Sequence, residues 1–438
     1  MPFVKIMWLY LIEFVILLSL LYFLFKYPEI TFGLFLFAGC FKADTILQNI
    51  LPKFFDLTIF FGSIVVISII FNIIKNKLKI PKISNKLLLP YIILVVIMFG
   101  SLIYTKSPVY GTDKFLRFIT ITTLAIFAPI FLFKTQKKLN NFFYSLIAIS
   151  TLMTVNSIFN STNLNGFHTA FGSNYLALGR ITGMSFLIIT FYFLSYKNTV
   201  RKKIFWIFLL LLNLFGIFYG GGRGPMVSLA ITLLFSVIFI LLSLSIKNSK
   251  YNNKTIKKTL FMILTSIIVL FSFAPIFYTS ITRTKILFTQ EQGGKSASRR
   301  LHAYNTALND FIKKPILGSG VGGFSDRHAG IDQRIYPHNI FLEIGSELGI
   351  LGLISFLALV AFCFVHLLRT QINPKNEKEY LLATTILFLL IFMLLNSCVS
   401  GDINDNRTFF VWIGVAYALN NIFLYARNQK LNNFKKIQ

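Results

Sequence analysis

The chain has 438 residues, of which 55% are hydrophobic and 13% charged, and its mean hydropathy is +0.70. Soluble domains carry about 25% charged residues, so a water-soluble globular protein is excluded. The net charge of +28 would suggest a nucleic-acid binder in a soluble chain. Here most lysines and arginines fall in short loops between apolar runs, which is an orientation signal in a membrane protein and argues against nucleic acid.

Taken in chain order, apolar runs cover 7–25, 57–74, 89–103, 115–133, 142–159, 175–194, 204–219, 225–244, 260–278, 348–368, 381–398 and 409–424. Each is close to the roughly 20 residues that cross a bilayer as a helix. The runs are apolar all round, whereas barrel strands would alternate over about ten residues. The expected fold is an all-α integral membrane protein with about 12 transmembrane helices. Segment 30–39 is apolar but spans only about 15–20 Å as a helix, short of the roughly 30 Å core, so a re-entrant or interfacial piece is expected. With that parity the basic loops 75–86, 134–138, 197–203, 247–258 and 369–378 and the tail 427–436 share one side, the cytoplasmic one. The organisation is then nine helices in 1–278, a large outward loop in 279–347, and three helices with a basic tail in 348–438. The first apolar run is long enough to remain as a helix, and no cleavage site follows it. Cys40, Cys363 and Cys398 are too few and dispersed for a disulfide framework or a zinc site.

The outward loop has its own pattern. Apolar residues Leu301, Tyr304, Leu308, Phe311 and Ile312 keep helical spacing over 298–314. Ser298 is placed to cap that helix and Pro315 to stop it. Gly318, Gly320, Gly322 and Gly323 then make a turn that could admit a phosphate, although no phosphate-loop lysine follows. The loop arginines, Arg283, Arg299, Arg300, Arg327 and Arg334, allow two readings: a solvated face balanced by Glu291, Asp310, Asp326 and Asp332, or an anion site.

Candidate chemistry lies at the end of that loop and in neighbouring spans. Pro337 suits a helix start, which would put His338 and Asn339 in a first turn at the membrane surface. An imidazole can accept a proton near neutral pH. The plain alternative is a polar side chain at an interface, and His302 and His328 compete in the same loop. Arg180 and Arg223 sit in or beside apolar runs, where an ionisable residue is either functional or snorkels to the interface. Arg407 ends a turn, 400–407, that is either an ordinary Asx-rich turn or part of an anion site. Arginine forks match phosphate oxygens. With no metal-binding motif, neither a metal nor a cofactor is expected.

His338-Asn339, followed eleven positions on by Gly349, resembles the bacterial O-antigen ligase and polymerase superfamily. Arg300-Leu301 with its helix, Lys314-Pro315-Ile316-Leu317-Gly318, Gly222-Arg223-Gly224-Pro225 and Phe171-Gly172-Ser173-Asn174-Tyr175 are similar to that family's loop and middle spans. Gly222 stands where the family commonly has serine. The resemblance implies an enzyme of the inner membrane whose donor is a glycan on undecaprenyl pyrophosphate, presented at the periplasmic face, with no metal. A ligase would pass the glycan to a sugar hydroxyl of lipid A–core or another glycolipid; a polymerase would pass it to a second lipid-linked unit of O-antigen or capsule. The implied roles are His338 as base, Arg180, Arg223 and Arg300 as pyrophosphate ligands, and Asn339, Glu343 and Arg407 in support. Ligase is the first reading and polymerase the second. A transporter of lipid-linked sugars is third, disfavoured because no internal repeat is evident and the polar residues gather on one face.

Overall fold

A computed structural model describes residues 15–52, 54–75, 80–81, 83–160, 167–195, 199–245, 260–261, 264, 295–372, 374 and 376–435. They form an all-α integral membrane protein, with no β-strand among them. Helix α1 (Val15–Lys26) meets α2 (Pro28–Phe41) at a 101° bend. A short α3 (Thr45–Ile50) leads to α4 (Leu57–Ile74) and α5 (Asn85–Ser101). The spans α6 (Pro108–Leu132), α7 (Gln136–Asn160), α8 (Tyr175–Phe193) and α9 (Val200–Tyr219) follow, then α10 (Arg223–Ser245). Beyond the loop helices α11 (Lys295–Lys313) and α12 (Phe324–Ala329) come α13 (Ile340–Ile372), α14 (Glu377–Ser397) and α15 (Arg407–Lys435).

Nine helices among the described residues are long and apolar enough to cross a membrane, or ten if the bent α1–α2 pair is one span. The run at 89–103 appears as the 17-residue α5, and the expected span at 260–278 lies almost wholly outside the described residues. α8 and α14 are the axis of the bundle, with 83% of the span buried in each, whereas α4 is only 22% buried and faces outward. Local chemistry sets several boundaries. Asp56 caps α4 by accepting from the Thr58 and Ile59 amides at 2.7 and 3.1 Å; Asn174 caps α8 and Asn376 caps α14.

The segment expected at 30–39 is the middle of α2, with Pro28 in its first turn and Phe32, Phe35, Leu36 and Ala38 all buried. It packs on α4, α6 and α7. A helix resting at an interface would keep one face open, so the packing is that of a helix dipping into the bundle.

Residues 315–332 of the long loop are docked on the ends of α5 and α6. Tyr104 Oη donates to Leu317 O at 2.7 Å and Thr105 Oγ1 to Val321 O at 2.9 Å. Asp332, expected as a surface counter-charge, caps α6 by accepting from the Val109 and Tyr110 amides at 2.8 and 2.9 Å. α11 begins at Lys295, so Ser298 lies inside the helix and does not cap it.

Candidate active site

The site grows from one buried carboxylate in the turn between α14 and α15. Asp402 is 0% exposed. Its Oδ1 accepts from the Asp405 amide at 2.7 Å, an Asx turn that folds residues 402–405 back on themselves. Its Oδ2 accepts from Arg334 Nε at 3.0 Å and Tyr110 Oη at 3.3 Å. Burial pushes this carboxyl up, but the Arg334 and Lys114 charges outweigh it and hold the pKa below the ordinary value. Arg334 also reaches Asp405 at 2.5 Å and lies 5.6 Å from the Tyr336 ring centre. Burial, with Asp405 and Asp402 nearby, pushes the Tyr336 phenol up to about 12, so it remains a neutral hydrogen-bond donor.

Beside this turn is a cavity of about 390 Å³, where α2, the start of α8, residues 334–336 and the start of α15 meet; Arg180, Arg334 and Arg407 line it. Arg180 is 9% exposed. Its Nη2 donates to Ser400 O at 2.9 Å, and its Nε has no hydrogen-bond partner. Arg407 Nε donates to Leu36 O at 3.1 Å, and its guanidinium stands 5.8 Å from the Phe35 ring. Among the described residues, neither has a carboxylate within ion-pair reach. An unpaired charge in a largely buried place is costly. A cavity with two such guanidiniums, and a third held at its rim, suits an anion with several acceptor oxygens.

His338 lies next to this cavity through Tyr336, whose ring is 4.7 Å away edge-on. It does not sit in the first turn of α13. Asn339 is the cap, accepting from the Phe341 and Leu342 amides at 3.0 and 3.2 Å, and His338 precedes it with φ +58°. A non-glycine residue in that region is strained and must be held by its surroundings. Its Nδ1 is buried without a hydrogen-bond partner. Burial lowers its pKa first, and the Arg300 charge on α11 lowers it further, against the pull of Asp405 and Asp402. The imidazole is therefore neutral near pH 7 and free to take a proton. His302 and His328 pack on each other at 5.1 Å, and neither lines the cavity.

The remaining candidates separate. Arg180 and Arg407 share the cavity, and Arg300 acts on His338. Arg223 opens α10 and is outside the cavity lining. Glu343, expected as support, is buried and committed to Lys114: its Oε1 lies 2.5 Å from the ammonium, and Glu347 Oε2 lies 2.6 Å from it on the other side. All three side chains are at most 3% exposed. Glu343 Oε1 also accepts from the Ile403 amide at 3.2 Å, and Asn404 Nδ2 donates to Lys114 O at 2.9 Å. This triad thus fixes the Asp402 turn against α6 and α13.

The spacing from His338 to Gly349 also has a structural cause. Gly349 breaks α13 with φ +64° and ψ −162°, a conformation open essentially to glycine alone. The break lets residues 315–320 lie directly on the helix backbone. Ile350 N donates to Pro315 O at 2.7 Å, Ser319 N to Ser346 O at 2.9 Å and Gly320 N to Glu347 O at 2.8 Å. A Cβ on Gly318 would come within 2.4 Å of the Glu347 carbonyl carbon. The glycine cluster therefore serves backbone-to-backbone docking, not phosphate binding.

Sequence reasoning missed Lys114 and Glu347 and did not select Arg334. Lys114 had a signal: it lies in an amphipathic stretch of ten residues, 108–117, that extends an otherwise apolar span. Arg334 had none beyond being one of five loop arginines.

These features define a multi-pass membrane protein with a cationic cavity and an adjacent strained, neutral histidine at one end of its bundle. Part of the chain is similar to a known family. Residues 206–357 match the family model described as O-antigen ligase, and over this stretch the chain resembles that family. The matched segment includes Arg223, Arg300, His338 and Glu343; Arg180 and Arg407 lie outside it. A protein of Rickettsia conorii (strain ATCC VR-613 / Malish 7) named "Putative polysaccharide ligase" is 35% identical over 97 residues, 19% of this chain and 22% of its own length. A Rickettsia felis (strain ATCC VR-1525 / URRWXCal2) protein of the same description is 29% identical over 113 residues, 23% of this chain and 26% of its own. The alignments thus span about a quarter of the curated relatives they match.

Proposed function

We propose that this chain is a glycosyltransferase that moves a glycan from undecaprenyl pyrophosphate to an acceptor sugar hydroxyl at the periplasmic face of the inner membrane, acting as an O-antigen ligase with lipid A–core as acceptor. The observation that carries the reading is the cavity into which Arg180 and Arg407 bring guanidiniums with no carboxylate partner, one aromatic ring away from a neutral His338. A pyrophosphate is the leaving group best matched to those forks, because its charge grows as the anomeric bond breaks. His338 takes the proton of the attacking hydroxyl, and the glycosidic bond to the acceptor forms as the bond to pyrophosphate breaks. Arg300 keeps the imidazole neutral, and Arg334, held by Asp402 and Asp405, stands at the rim. The step needs no metal or cofactor.

The test is transfer by the purified chain from a lipid-linked glycan donor, offered either core lipid or a second lipid-linked unit. Glycan on core lipid supports the ligase reading. Lengthening of the lipid-linked glycan alone would move the assignment to polymerase. Donor consumption with neither product, or no consumption at all, would remove it.

A further inference from the structure

Three basic loops that are far apart in sequence meet at the opposite end of the bundle. Lys137 in the first turn of α7, Lys202 in that of α9 and Lys378 in that of α14 line one cavity of about 680 Å³. α8 separates this end from the arginine cavity by about 28 Å, from its 19 residues at 1.5 Å each. No Asp or Glu lines the cavity. Asn141 Nδ2 reaches back to Glu29 Oε1 at 2.9 Å, and that acid is itself buried. Lys137 and Lys202 form no ion pair with any described residue. The polar floor is preorganised: Gln136 Nε2 donates to Tyr192 Oη at 2.6 Å, and Tyr192 Oη donates to Asn140 Oδ1 at 2.9 Å.

One wall of this cavity is aromatic. Trp206 stacks with Phe193 at 4.2 Å and with Tyr144 at 6.2 Å. Tyr144, Phe205 and Trp206 also border a second cavity of about 510 Å³, lined beyond them mostly by apolar side chains such as Ile147, Leu152 and Val155. The two cavities therefore adjoin at these three side chains, the first cationic at the end of the helices and the second apolar along α7 and α9. From Tyr144 to Val155, α7 rises about 16 Å, close to the depth of one leaflet, half of a core of about 30 Å. Tyr and Trp at the junction are the residues expected at a membrane interface.

We propose that these adjoining cavities together bind an anionic diacyl glycerophospholipid of the leaflet on the basic-loop side, its phosphate among Lys137, Lys202 and Lys378 and one acyl chain between α7 and α9. An orientation signal requires only that each loop be basic; it does not require lysines from three loops to line one cavity that adjoins an apolar groove one leaflet deep. A free phosphate would use the first cavity alone. A zwitterionic lipid would bring its own cation among three ammonium groups. The site is separate from the transfer chemistry and does not depend on it.

Native mass spectrometry of the full delipidated chain in detergent tests this, titrated with phosphatidylglycerol or with phosphatidylcholine of the same acyl chains. The first phosphatidylglycerol should bind more tightly than phosphatidylcholine, by about fivefold for each lysine engaged. Lys137→Gln with Lys202→Gln should remove most of that preference. Ala148→Phe, at an exposed groove position, should weaken both lipids with the lysines intact. Equal binding of the two lipids by the native chain, or full preference in the double lysine variant, would overturn the proposal. Displacement of phosphatidylglycerol by excess inorganic phosphate alone would reduce the groove to an anion site and overturn the lipid assignment.

Discussion

Replacing Lys114 by Met keeps an unbranched side chain, one atom shorter, and removes the ammonium with its charge and hydrogen bonds. The ammonium lies 2.5 Å from Glu343 and 2.6 Å from Glu347, with all three groups at most 3% exposed. The far oxygens, Glu343 Oε2 and Glu347 Oε1, have no hydrogen-bond partner. For a compensating charge the two carboxylates therefore depend on one ammonium, and Lys114→Met leaves both buried without it. Breaking a buried pair in this way costs about 3–5 kcal/mol, because a charge is left uncompensated. With two acids released the upper end of that range is expected. Adding Glu343→Gln and Glu347→Gln removes the stranded charge and should recover most of the loss, since a neutral buried set can be as stable as an ionic one. The assay is equilibrium unfolding in mixed micelles, run as a cycle over the single and combined variants. A loss below about 1 kcal/mol for Lys114→Met would show that the triad does not hold α6 to α13. A combined variant as unstable as Lys114→Met would show that the loss comes from packing and not from charge.

Arg180→Lys should weaken donor binding by about ten- to a hundredfold at equal protein level, since hydrogen bonds to a charged group contribute about 1.5–3 kcal/mol and an ammonium cannot fork; an unchanged Kd for lipid-linked donor would make Arg180 structural. His338→Ala should lower transfer by roughly 10²–10⁴-fold with donor binding kept, while His302→Ala and His328→Ala stay near the native rate; a near-native rate for His338→Ala would end the base assignment. Because burial and Arg300 depress the His338 pKa, the neutral, active form should persist to lower pH. The rate should then rise with pH through a midpoint below the ordinary imidazole value of about 6.5, and Arg300→Gln should move that midpoint upward; a midpoint that ignores Arg300 would refute the coupling. Gly349→Ala should destabilise by at least about 1–3 kcal/mol from backbone strain, and more from its Cβ standing 2.2 Å from Ile316 O; unfolding in mixed micelles at native stability would refute the docking argument.

The helices were legible because a bilayer leaves the chain few choices. A span must be apolar for about 20 residues and satisfy its own backbone, so the drawn runs at 57–74 and 175–194 fall within a residue of α4 and α8. The starts of α6 and α13 were placed late for the opposite reason. Residues 108–117 and 340–347 carry polar groups that count against a span on hydropathy, yet those groups satisfy one another once α6 meets α13. That pairing, Lys114 with Glu343 and Glu347, joins positions more than 200 residues apart, and no local pattern announces it. His338 and Asn339 stood out in sequence as a string, but their division of labour did not. One is a strained residue packed on Tyr336 and the other a helix cap, a distinction that resides in backbone angles.

The same accounting sorts the arginines. Arg327 is held by Asp310 at 3.0 Å, and Arg334 by Asp402 and Asp405, so their charges are balanced inside the protein. Arg180 and Arg407 are not, although each is anchored by a backbone carbonyl that fixes its direction without neutralising it. Anchoring by a carbonyl keeps a guanidinium in place while leaving its charge for something else. A carboxylate in the same position would have left it no charge to offer. Arg334 lies between the two sets: Asp402 is fully buried, but Asp405 is 39% exposed, so one of its two partners can be exchanged for a ligand oxygen without stranding a buried charge. Under the proposed function, the cavity would offer an anion two guanidiniums with no carboxylate partner among the described residues, beside a third held by the turn that Lys114 and Glu343 secure.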